Sequence, residues 1–93
     1  MVEIIWSKSS VNDLKNLHRY ISKDSVLYAK RFIDLLISRV EQLTDFPESG
    51  RIVPEKNNPK IRELIEGNYR IFYKYTAKKV TVLRIHNSAR NIQ

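Results

Sequence analysis

The sequence predicts an α+β domain: an N-terminal strand, an antiparallel helical hairpin, and an antiparallel sheet completed by a three-stranded C-terminal meander. Three observations carry that expectation. Apolar residues recur at spacings of three and four from Val11 to Leu43. From Lys60 to His86 the chain breaks into short strand-like runs separated by tight turns. Between the two regions lies a connection punctuated by prolines.

Val2–Trp6, apolar and β-branched, reads as the first strand. Ser10-Val11-Asn12-Asp13 reads as a capping box, with Asp13 in the place usually held by Glu or Gln. It opens a helix whose inner face is Val11, Leu14, Leu17 and Ile21. A second helix is expected from Asp24 or Ser25, with the stripe Ala29, Phe32, Ile33, Leu36, Ile37, Val40 and Leu43. So few residues separate the stripes that the helices must turn back on each other. Pro47 ends the second helix, because the residue before a proline is pushed out of the helical region.

Pro47, Gly50, Pro54, Asn57, Asn58 and Pro59 then imply an extended connection, with Gly50 as a turn glycine. Three strands follow. Lys60–Ile65 is closed by Glu66-Gly67-Asn68. Tyr69–Tyr75 alternates, with Tyr69, Ile71, Tyr73 and Tyr75 on one face and Arg70, Phe72 and Lys74 on the other. Val80–His86 follows the turn Thr76-Ala77-Lys78-Lys79.

A chain of 93 residues supports one domain, 1–93. The absence of cysteine excludes disulfides, thiolate metal sites and thiol nucleophiles. Two histidines are too few for a histidine-only metal site, and neither metal nor cofactor is expected. The N-terminus lacks the basic start and apolar run of a signal peptide, and no stretch approaches the roughly 18 apolar residues of a membrane span. A cytoplasmic protein with no membrane partner is the expectation.

The formal charge of +7 is lopsided. Residues 1–50 hold seven Lys/Arg and seven Asp/Glu, whereas residues 51–93 hold ten against three. Such a field attracts nucleic acid or an acidic protein segment, or serves solubility alone. Arg51, Lys60, Arg62, Arg70, Lys74, Arg84 and Arg90 are the candidate binding cations. Arg70 stands out, since an arginine in mid-strand among apolar neighbours calls for a specific anion. The meander is thus expected to gather these groups, Arg70 foremost, into a positive surface. Arg62-Glu63 reads as a cross-strand pair or as two solvated side chains.

Several short motifs, in order and spacing, resemble the RelE/ParE superfamily of type II toxin–antitoxin toxins, nearer its ParE-like branch. They are Trp6; Asp13-Leu14; Tyr20-Ile21; Leu43-x-x-Phe46-Pro47-x-x-Gly50-Arg51-x-Val53-Pro54-Glu55; Ile61-Arg62-Glu63-Leu64; Tyr69-Arg70-Ile71-x-Tyr73; Ile85-His86; and Arg90. The resemblance implies a β-α-α-β-β-β fold and a toxin used in plasmid stabilisation. ParE-like members bind DNA gyrase without known chemistry of their own; RelE-like members are ribosome-dependent mRNA endonucleases. Either kind is silenced by a cognate acidic antitoxin, and operator DNA is reached only through that complex.

As an endonuclease the chain would use Arg70 and Arg90 to grip phosphate oxygens, with Glu55 or His86 as the proton acceptor. The lysines and C-terminal tyrosine of RelE-like enzymes are missing, since Arg62 and Glu63 stand near the lysine positions and the chain stops at Gln93. The gyrase-binding reading is therefore preferred, the endonuclease is its alternative, and a non-toxic basic nucleic-acid-binding module is a second.

Overall fold

A computed structural model describes residues 2–88. Its elements are β1 (Glu3–Trp6), α1 (Lys8–Ser22), α2 (Val26–Glu41), a short 3-10 turn (Gln42–Thr44), β2 (Arg51–Ile52), β3 (Ile61–Glu66), β4 (Tyr69–Thr76) and β5 (Lys79–Asn87). The five strands form one sheet in the order β1-β5-β4-β3-β2. The α+β architecture, helical hairpin and C-terminal meander agree with expectation.

The sheet itself is mixed. β3, β4 and β5 run antiparallel, as short turns between successive strands require, but β1 pairs parallel to β5, from Glu3↔Lys79 to Trp6↔Val82. The whole helical hairpin and the rest of the sheet intervene between β1 and β5, so no turn dictates their relative direction.

α1 starts earlier than the expected capping box. The Ser7 hydroxyl accepts the Ser10 N–H at 3.0 Å and donates to the Leu83 carbonyl at 3.1 Å, joining β1, α1 and β5 in one residue. Asp13, freed from capping, accepts the Ile85 N–H at 2.8 Å along the stretch of β5 that β1 does not cover. α2 is capped by Ser25, whose hydroxyl accepts the Tyr28 N–H. Its stripe packs as read, with Ala29, Leu36 and Val40 fully buried, and Leu43 likewise in the following turn.

The core lies between the hairpin and one face of the sheet. Leu17, Leu36, Val40 and Leu43 meet Leu64, Ile71, Tyr73, Val80, Val82 and Ile85 there. In β5 the inward set changes parity, Val80 and Val82 being even and Ile85 odd. A register shift against β4 causes this: Tyr73 faces Val82 but Phe72 faces Arg84, so Leu83 has no opposite number.

The connection between α2 and β3 is pinned rather than loose. The Tyr73 hydroxyl accepts the Gly50 N–H at 3.0 Å and donates to the Pro47 carbonyl at 2.8 Å. Gly50 is buried, and a Cβ there would lie 2.6 Å from the Glu63 carbonyl oxygen and 2.6 Å from the Tyr73 hydroxyl. Close approach to Tyr73, not a left-handed turn, is what demands glycine.

Candidate functional site

The sheet face opposite the helices carries Glu63 from β3, Arg70 and Phe72 from β4, and His86 from β5, and the connection bearing Val53 and Glu55 folds over it. Strand register builds the group: Glu63 lies opposite Phe72, Arg70 opposite His86, and Arg51 opposite Glu63. Between connection and sheet is a cleft of about 230 Å³, whose walls include Val53, Ile61, Phe72 and Leu83.

A carboxylate dominates this face from below. The Glu63 side chain is 0% exposed and pairs across strands with Arg51 and Arg70, while Arg62 donates to backbone carbonyls. One of its oxygens accepts from Arg70 Nε and the other from Arg51 Nε, each at 2.5 Å. The outward end of Arg70 is occupied as well: Nη1 and Nη2 donate to the two Glu55 oxygens at 3.0 and 3.4 Å. These contacts hold the Glu55 carboxyl below the usual carboxylate range, and Glu63 followed by Glu55 pushes the Arg70 guanidinium further up. Arg70 also lies over the Phe72 ring, 4.9 Å from its centroid, and His86 meets that ring edge-on at 5.4 Å.

Two other candidate arginines are similarly engaged. Arg84 forms a two-pronged pair with Asp13 of α1, Nε at 2.9 Å and Nη2 at 3.1 Å. Arg62 donates to the Glu48 and Gly50 carbonyls at 3.2 and 2.8 Å, bracing the connection. Lys60 and Lys74 are exposed and, among the described residues, their ammonium groups form no ion pair. Arg90 lies outside the described residues.

The expected positive surface centred on Arg70 is therefore not what forms. The anion that Arg70 called for is the protein's own, supplied by Glu63 and Glu55. Arg70, Glu55, His86 and Arg84 do share the cleft, Arg84 while paired with Asp13; Arg51 reaches it from the edge through Glu63; Lys60, Lys74 and Arg62 serve elsewhere. Glu63 and Asp13 are the residues that sequence reasoning undervalued. Glu63 had a signal, since it sits between Ile61 and Ile65 on one face of a strand, and a charge there needs partners. Among the described residues no group of three or more His, Cys, Asp or Glu side chains is placed to hold a metal, and no helix is long and apolar enough to cross a membrane.

Three comparisons place this geometry among known proteins. The family described as the ParE toxin of the type II toxin–antitoxin system parDE matches residues 4–92. The chain is 30% identical over 91 residues to Toxin RelE2 of Caulobacter vibrioides, covering 97% of this chain and 99% of that one. Among solved structures it superimposes on a chain of the chromosomal ParDE system of P. aeruginosa with a TM-score of 0.77 at 20% identity, covering 94% of this chain and 96% of that one. It also superimposes on a chain of the RelBE2 toxin–antitoxin complex of Mycobacterium tuberculosis, with a TM-score of 0.69 at 16% identity and 92% and 96% coverage.

Proposed function

The chain belongs to the ParE toxin family of type II toxin–antitoxin systems, and from that premise we propose that it arrests growth by binding DNA gyrase, with no bond-breaking chemistry of its own. One observation carries this reading: the guanidinium of Arg70 is tied at Nε to the fully buried Glu63, which offsets its charge whether or not Glu55 covers the outer end. A nuclease needs that guanidinium free to meet charge building on a phosphate. It also needs a base, and of the two candidates Glu55 is engaged by Arg70 and the His86 ring is packed against Phe72.

A cognate acidic antitoxin is part of the same proposal. The solved relatives are toxin–antitoxin systems, and the exposed lysines of the C-terminal half offer charge to an acidic segment.

The endonuclease remains the second reading, favoured by the meeting of Arg70, Glu55 and His86 in one cleft. Two assays on purified protein separate them. Gyrase supercoiling should fail while mRNA on stalled ribosomes stays intact. Normal supercoiling together with cut mRNA would replace the first reading by the second.

A further inference from the structure

The two ends of Arg70 are held in unlike ways. Nε is fixed to Glu63, whose side chain is fully buried and also bound by Arg51. The Nη1/Nη2 end is closed by Glu55, whose side chain is 60% exposed and belongs to the connection rather than to a strand. Glu63 therefore orients a planar fork toward the cleft, and Glu55 fills it with a carboxylate that water can readily strip away.

The chemistry of the cleft narrows what else fits there. With Glu55 withdrawn, Arg51, Glu63 and Arg70 together carry one positive charge, Lys56 on the cleft wall adds another, and Arg84 is balanced by Asp13, so the cleft suits an anion. The walls from Val53, Ile61 and Leu83 are aliphatic, and about 230 Å³ admits one medium-sized side chain beside that anion. Phe72 has Arg70 over its ring and His86 against it, so it offers a nucleobase a poor stacking face.

We propose that Glu55 occupies in cis a carboxylate seat that an acidic side chain of a partner protein takes in trans, with a neighbouring aliphatic side chain entering the hollow beside Phe72. The partner segment is an extended peptide with an acidic residue next to an aliphatic one. Seat and plug compete, so partner binding and lifting of the Glu55 connection are one event. The inference does not depend on gyrase being the target.

The test titrates the full chain, with 15N-labelled arginine, against the peptide acetyl-Leu-Glu-Leu-amide. Acetyl-Leu-Gln-Leu-amide and the dinucleotide uridylyl-uridine are run in parallel. The acidic peptide should shift the Arg70 Nε resonance, and Glu55→Ala should tighten its binding about two- to sixfold, the advantage an exposed pair gives the plug. The amide peptide should have no such effect. Glu63→Gln/Arg70→Gln, which leaves no lone charge inside, should abolish peptide binding, read by calorimetry because this variant has no Arg70 resonance, while the fold persists. Equal affinity in wild type and Glu55→Ala would overturn the proposal. So would an equal response to the amide peptide, or no binding in either protein at millimolar peptide. A preference for the dinucleotide would overturn it in favour of a nucleic-acid strand.

Discussion

Arg70→Ala should cost far more stability than a surface ion pair, because it strands a charge inside the protein. The Glu63 side chain is 0% exposed and that of Arg70 only 19%. Removing one member of a buried pair typically costs about 3–5 kcal/mol. Arg51 would remain on the second oxygen, so the lower end, about 3 kcal/mol, is the expected loss. The Glu55 arm is solvent-exposed and adds little. A 93-residue domain has about 5–14 kcal/mol in all, so the variant should stay folded but melt roughly 12–24 °C lower. Urea unfolding followed by the fluorescence of Trp6, the single tryptophan, should show the midpoint falling by about 3 M for a slope near 1 kcal/mol/M. Glu63→Gln/Arg70→Gln, which neutralises both partners, should recover most of that loss. A loss below about 1 kcal/mol for Arg70→Ala would refute the buried-pair account. So would a double variant no more stable than the single one. The same folded double variant then asks whether Arg70 matters for growth arrest, free of the confusion that a merely unfolded toxin would bring.

Four further outcomes follow from neighbouring geometry. Ala77 and Lys78 form the β4–β5 turn with φ of 51° and 63°, a conformation suited to Asn-Gly, so Ala77→Asn/Lys78→Gly should stabilise by about 1 kcal/mol, read as a higher Tm. Gly50→Ala should destabilise by about 1–3 kcal/mol in urea through overpacking, since a Cβ would press on backbone as well as on Tyr73. Tyr73→Phe should lose about 1–3 kcal/mol by orphaning the buried Gly50 N–H; an unchanged midpoint for either variant would contradict the pinning. Glu55 titrates below its ordinary 4.5 because Arg70 favours its charged form. The contact's contribution is then complete above about pH 4.5 and fades as pH falls through the lower folded value. Carboxyl 13C NMR should place the Glu55 midpoint under 4.5, and one at or above that value would deny the ion pair.

Much of the fold was legible because helix and strand periods are local. The stripe from Ala29 to Leu43 could only be a buried helical face, and the alternation of Tyr69–Tyr75 separated core from outer face correctly. What escaped reading was set by distant partners. The direction of β1 depends on β5 rather than on any turn, and Ser7 outcompeted Ser10 as the cap because it also reaches Leu83. The unmatched Leu83 is visible only once β4 and β5 are aligned. At the candidate site, the sequence marked Arg70 as needing an anion but not which one. The answer required knowing that Glu63 lies on the same face and that the connection carries Glu55 back over it.

The pairing of β1 with β5 has a consequence for how the chain comes into being. Residue 3 finds its place only beside residue 79, so β5 must have been made before the first strand has anything to zip onto. Until then α1 lacks both the Leu83 carbonyl and the Ile85 amide that moor it. Such distant closure makes assembly slow relative to helix formation. A nascent or prematurely released chain lacking its last strand carries a helical hairpin over an unfinished sheet, with bare edges open to aggregation and proteolysis. Arrival of β5 is thereby the step that makes the molecule whole.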